Sequence, residues 1–556
     1  MLGMADPAAE PTRRVRLWLG ALLAGVLGLA GLLRWYGANF GLPALNDPDE
    51  LMFQLGAVRI LTSMSLNPGW FGHPATTTMY VLAAVDIGVF GFGWLTGAYA
   101  GPADFMAAVY PNPGLLILPG RLAMVAFGVL AVWQTFRLGR MIGKGREGWI
   151  IGLFASGLLA ASPVFVHYAQ IIRSDMMGTA FVLLCLGAAL RIAEHGRRVD
   201  YGWAALWLAL AVASKWPFAI AALSVAGAWV HYTSGHRPAW REQMLHLAGF
   251  AVLSPLLLVV ISPFLVLDYQ MVLQNLAGEA RPQHLGATGG GFASNAWWYA
   301  QGPLRAALGA GGVVFSLAGL VLIARDARLR WVLLPFVAVH FVIICSADLR
   351  WERWVVPILP ILALGAGMVA AQAIALMQQQ PRYAQVIVLA ALVVMPLTLI
   401  DPTLTAARAR MNDTRQQATQ WLDKRAADDA TIMIEHFAFD MVHRAPTVSF
   451  PLGDIGCVNA QAMLDGRIDY SLVEGARKGR SKFDYGTMEA AVRPTCISDY
   501  YIVTEMERYA DERAAFPAEY AAYAALLDNG EIAATFRPEE GVSTGPVVHV
   551  IARRPR

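Results

Sequence analysis

Apolar residues gather into long runs from residue 17 to residue 400, and the pattern then changes. Runs of 18 or more suit helices that cross an apolar layer roughly 30 Å thick. Candidate spans cover 17–38, 119–141, 148–168, 175–193, 203–214, 217–233, 246–267, 306–324, 331–347, 354–376 and 384–400, eleven in all. The pair 203–214 and 217–233 reads as a short hairpin with Lys215 and Trp216 at its tip. The first run, Leu17 to Leu33, is too long for a signal-peptide core, and no small-x-small cleavage site follows it. It is expected to stay as a helix.

Positive charge orients these spans. With the N-terminus inside, inner segments hold Arg13, Arg14 and Arg16, then Arg137, Arg140, Lys144 and Arg146, then Arg191, Arg197 and Arg198. Arg237 and Arg241, then Arg325, Arg328 and Arg330, and Arg382 follow on the same side. Residues 75–97 are also apolar enough to span, but a crossing there would turn Arg137–Arg146 outward. That segment, with Asp86 in it, is expected to be interfacial or re-entrant.

Beyond residue 400 charges are frequent and apolar runs shrink to strand length, at Thr431–Ile434, Tyr500–Thr504 and Val547–Ile551. Thr414–Ala426 and Pro517–Asp528 read as helices between them. The expectation is a polytopic α-helical membrane domain over 1–400 and a small outer α/β domain over 401–556. Outer loops at 39–118 and 268–305 belong to the first. Composition agrees: the 556 residues are 56% hydrophobic and 15% charged, against about 25% charged in soluble proteins. The net charge of +3 decides little, and no basic tract suggests nucleic acid. Cys457 and Cys496 are the only cysteines in the tail. An outer, oxidising location favours a bridge between them; two buried thiols is the other reading.

The chemistry concentrates on the outer face. Asn46-Asp47-Pro48-Asp49-Glu50 follows the first span with three carboxylates, costly groups at that depth. Asp47 can cap a short helix. The same face collects His73, Arg121, Arg173, Asp175, Lys215, Asp268, Arg281, His284, Asp348, Arg350, Glu352 and Arg353. Some have plainer readings: Arg173 and Asp175 as a local ion pair at a helix start, Lys215 as a snorkelling lysine, Asp348–Arg353 as a solvated loop. As a set, carboxylates beside cations suit removal of a proton from an acceptor next to a lipid phosphate held as leaving group.

These residues, in this order, resemble the GT-C superfamily of integral membrane glycosyltransferases. The likeness is to the family 39 group of protein O-mannosyltransferases and lipid A aminoarabinose transferases, and it runs over roughly 15–450. It rests on Pro48-Asp49-Glu50, on Asn67-Pro68-Gly69-Trp70-Phe71-Gly72-His73-Pro74, and on Arg121. Arg173-Ser174-Asp175, Ala213-Ser214-Lys215, Ser262-Pro263-Phe264 with Asp268, and Arg353 through Pro360 complete it.

The resemblance implies a GT-C fold with interfacial helices, and an inverting transfer from a polyprenyl-phosphate sugar to a lipid, glycan or protein acceptor. Asp49 is then the expected base, with Glu50 beside it and Asp175 as the second acid. Lys215, Arg173, Arg121, Arg353, His73 and His284 are the expected binders of donor phosphate or substrate. It further implies a bacterial inner membrane, a cytoplasmic N-terminus and a periplasmic C-terminal domain. The chain departs from the family at Ala75, where a second proline is common, and at the glycines Gly289-Gly290-Gly291.

No cofactor is expected. Asp47-x-Asp49 has the spacing of a metal-binding pair, so a divalent cation stays open. Two other functions stay open too: an oligosaccharyltransferase or O-antigen ligase with a pyrophosphate donor, and a lipid-sugar flippase. The flippase would need mid-membrane charges and usually an inverted repeat, and no repeat is visible.

Overall fold

The computed structural model describes residues 10–235, 240–280, 282–442, 444, 446–464 and 484–554. A large helical body is followed by a six-stranded sheet domain. Among the described residues, nine helices are long and apolar enough to cross a membrane by length and composition. Three expected spans fall on shorter elements. Residues 148–168 form the helix Gly145–Ala161, broken at Ser162-Pro163; 203–214 lies in Arg198–Ser214; 217–233 divides into Trp216–Ala221 and Ala222–Gly235.

Small residues let the helices approach closely. A Cβ on Gly319 would lie 2.1 Å from the backbone of Gly365, and one on Gly139 2.5 Å from Gly152. Arg34, fully buried in the first span, donates to Leu159 O and Ala160 O at 2.9 and 3.1 Å. It thereby satisfies carbonyls that the end of the Gly145–Ala161 helix leaves open.

Residues 75–97 form one continuous helix, Thr76–Leu95. Three successive threonines anchor its first turn at the ends of three other helices. Thr76 Oγ1 accepts from Ser262 Oγ at 2.7 Å, Thr77 pairs with Ser214 at 2.7 Å, and Thr78 donates to Ser174 at 3.2 Å. Beyond that turn the helix meets the beginning of Gly114–Ile142. Met79, Leu82 and Ala83 pack with Ile117, and Phe90 packs with Phe105 beside Leu116.

The sheet has the order β3-β2-β1-β4-β6-β5, with β1 Thr431–Ile434, β2 Thr447–Pro451, β3 Cys457–Asn459, β4 Tyr500–Val503, β5 Gly530–Phe536 and β6 Val548–Arg553. β2, β1 and β4 are parallel and the rest antiparallel. Alternation along the strands feeds two cores. Ile432, Ile434, Ile502 and Val550 join Ala418 and Leu422 of the helix Thr414–Asp423. Met433, Tyr501, Val503 and Ile551 join Tyr509, Tyr523 and, from the long outer loop, Leu285. Cys457 and Cys496 are disulfide-bonded.

The helix Ile400–Met411 belongs with the helical body: Thr403 Oγ1 donates to Ala161 O at 2.6 Å, and Arg410 lies over Phe40 and donates to Gln170.

Candidate functional site

The 46–50 segment is organised by a helix start. Asp47 is the N-cap of Pro48–Ser63 and accepts from Asp49 N at 3.0 Å, with Pro48 in the first turn. The turn separates the three carboxylates by environment. Side-chain exposure is 0% at Glu50, 14% at Asp47 and 42% at Asp49.

Glu50, expected beside the base, is the fully buried one of the three. Its oxygens receive Arg121 Nε and Nη2 at 2.8 and 2.7 Å, and Ile172 N at 3.0 Å. Arg121 is buried beside it. Its Nη1 donates to Ala38 O and Phe40 O, both at 2.8 Å, and its guanidinium lies 3.8 Å over the Phe40 ring. Four of its five guanidinium N–H groups are engaged and the side chain is fully buried.

Arg173 lies on the exposed side of this pair. It is the N-cap residue of Ser174–His195, in extended conformation. Nη2 meets Asp47 Oδ1 and Oδ2 at 3.1 and 3.2 Å, and Nη1 lies 2.6 Å from Asp49 Oδ2. In the first turn of that helix, Asp175 accepts from Lys215 Nζ at 2.5 Å, both nearly buried. A carboxylate in a first helical turn also matches the helix dipole.

Lys215 ends the helix Arg198–Ser214, and the His73-Pro74 segment zips against it. Pro74 and Lys215 form an antiparallel bridge, Trp216 N donates to His73 O at 2.9 Å, and Ala75 N to Ser214 O at 3.2 Å. His73 packs between Phe53 and Trp70. Burial, then the charges of Lys215 and Arg353, push its imidazole pKa down to about 3. It is a neutral ring in the site.

Arg353 sits in the short turn Glu352–Val355, its guanidinium 4.4 Å over the Trp351 ring. Its Nε is buried without a hydrogen-bond partner, and its side chain forms no ion pair among the described residues. His284 lies against Trp351. Its ring meets the Trp351 ring edge-on at 4.9 Å, and Nδ1 lies 3.0 Å from Leu285 O. Sequence reasoning missed Trp351 as a support, and missed Tyr168, whose hydroxyl donates to Glu352 at 3.1 Å. The Trp351-x-Arg353 spacing is the available signal, in the Asp348–Arg353 segment that also reads as a solvated loop.

A divalent cation does not fit Asp47-x-Asp49. The guanidinium of Arg173 already stands between the two carboxylates, and the described residues hold no cluster of three metal-ligating side chains.

Residues 113–266 match the family described as dolichyl-phosphate-mannose-protein mannosyltransferase. This stretch contains Arg121, Arg173, Asp175 and Lys215. No curated protein sequence matches the chain. Among solved structures, ArnT from Cupriavidus metallidurans in the apo state superposes with a TM-score of 0.53 at 14% identity, over 98% of this chain and 100% of that one. The same protein bound to undecaprenyl phosphate gives 0.51 at 12%, over 97% and 99%. The oligosaccharyltransferase AglB from Archaeoglobus fulgidus, complexed with an inhibitory peptide and a dolichol-phosphate, gives 0.50 at 14%, over 94% and 73%. The chain shares the overall fold of these solved structures.

Proposed function

We propose that this protein moves a sugar from a polyprenyl-phosphate donor to a lipid, glycan or protein acceptor on the outer side of a bacterial inner membrane. One observation carries the reading. A partly exposed carboxylate, Asp49, is held by Arg173 in a site that also contains Lys215 and Arg353, which has no ion pair among the described residues. The matches to structures bound to undecaprenyl phosphate and dolichol-phosphate support the donor class.

Asp49 takes the proton of the acceptor while the acceptor attacks the anomeric carbon. The bond to the phosphate oxygen breaks on the opposite face, which inverts the anomeric configuration. Lys215 and Arg353 stabilise the charge that develops on the departing polyprenyl phosphate. Asp175 holds Lys215 in place. Helix Thr76–Leu95, anchored by its threonines and packed on the first turns of Gly114–Ile142, lies at the outer interface in this reading. The sheet domain lies outside with it: Arg415 Nη1 donates to Asn46 O at 2.8 Å, one residue from the acidic turn.

The test is Asp49→Asn in a reconstituted transfer assay with labelled polyprenyl-phosphate sugar. Transfer is expected to fall by about 100-fold or more, with folding and donor binding retained. Full activity in that variant would overturn the assignment. Inactivation by a chelator, reversed by Mn²⁺ or Mg²⁺, would redirect it to a metal-dependent oligosaccharyltransferase.

A further inference from the structure

The long outer loop touches the site and the sheet domain at neighbouring residues. Leu285 is 9% exposed and packs in the core that contains Tyr501, Tyr509 and Tyr523. Gly286, at φ +76, donates its N–H to Glu512 Oε1 at 2.8 Å. A proline there could neither adopt that conformation nor make that bond. Immediately before Leu285, the His284 ring meets Trp351.

The turn around these residues is stiff. Thr288 Oγ1 donates to His284 O at 3.0 Å and accepts from His284 N at 3.3 Å. It is then stitched to the segment that carries Trp351 and Arg353. Arg350 N donates to Ala287 O at 2.9 Å, Gly289 N to Asp348 O at 2.6 Å, and Thr288 bridges Leu349. Tyr299 also holds the Trp351 backbone, its hydroxyl accepting from Trp351 N at 3.3 Å. Trp351 offers its face to Arg353. A guanidinium with few other partners takes its direction from such a face.

We infer that the C-terminal sheet domain sets the position of Arg353, acting through Leu285, His284 and Trp351. Leu285 and Trp351 are positioning residues for the cation that receives the donor's phosphate. Affinity for a polyprenyl phosphate therefore depends on docking of the sheet domain. The inference rests on the reading of Arg353 given under the proposed function.

The test uses full-length protein in phosphatidylcholine nanodiscs and titrates undecaprenyl phosphate, with bound lipid read by native mass spectrometry. Arg353→Ala is expected to weaken binding about tenfold, and Trp351→Leu and Leu285→Ala each about three- to tenfold. Trp351→Phe keeps an aromatic face and should stay within about twofold. Glu512→Ala, a change on the domain surface, should weaken binding in the same direction as Leu285→Ala. Added to Arg353→Ala, neither Trp351→Leu nor Leu285→Ala should weaken binding further, because both act through the missing guanidinium.

If Trp351→Leu and Leu285→Ala are neutral, or multiply fully with Arg353→Ala, the positioning role is wrong and Arg353 keeps its phosphate. If Arg353→Ala itself leaves binding unchanged, the assignment of Arg353 to the donor phosphate fails first.

Discussion

Arg173 Nη1 lies 2.6 Å from Asp49 Oδ2 while its Nη2 spans both oxygens of Asp47. One guanidinium thus holds two carboxylates that differ in surroundings. Asp47 caps a helix, and Asp49 faces outward. Asp47→Ala should lower stability by about 1–2 kcal/mol through loss of the cap, and should reduce transfer less than Asp49→Asn does. Thermal melting and steady-state transfer of the two variants, measured side by side, check this. A larger activity loss at Asp47 would exchange their roles.

The Glu50–Arg121 pair behaves as a structural unit. Removing one member strands a buried charge, a loss of about 3–5 kcal/mol. Glu50→Gln and Arg121→Met should each lower the melting temperature sharply. The double variant, which strands no charge, should be less unstable than the sum of the two. Additive losses would show that the partners do not meet in the folded protein.

His73 gives the site a pH signature. Its imidazole pKa is about 3 in the folded chain, against about 6.5 when unfolded. A lowered pKa on a base means that the folded state resists the proton. The stability it contributes is present above about 6.5 and drains away as pH falls from there towards 3. Wild-type melting temperature should fall between pH 7 and pH 5, and His73→Gln should fall less over the same range. The pH–activity profile between 6 and 8 should carry no limb from His73. Equal slopes for the two proteins would refute a buried neutral His73.

Much of this architecture is written in local pattern. The helix Pro517–Asp528 and the strand Thr431–Ile434 follow from apolar spacing, because each feeds a core through its own periodicity. Asp47 as a cap follows from its place before Pro48. The partition of Asp49 and Glu50 does not. Adjacent residues on a helix point about 100° apart, and only Arg121, 71 residues away, decides which one is buried. The same holds for Arg353. Its support by Trp351 and His284 comes from a loop that local pattern left unassigned. Thr76, Thr77 and Thr78 carry no periodic signal at all, yet they fix where their helix begins.

The disulfide between Cys457 and Cys496 ties β3 to the turn Arg493–Cys496, across a sequence separation of 39. Closing a loop of that length restricts the unfolded chain and stabilises the folded one by about 3–4 kcal/mol in the chain-entropy account. Replacing both cysteines by alanine should lower the unfolding midpoint of the sheet domain accordingly. Reductant should lower the wild-type midpoint by a similar amount and leave the double variant where it was. The sheet domain docks Leu285, so the loss should reach the membrane site as weaker binding of undecaprenyl phosphate near the lowered midpoint. Calorimetry with and without reductant, paired with that titration, measures both effects. A wild-type midpoint insensitive to reductant would mean that the bridge adds nothing to the domain's stability.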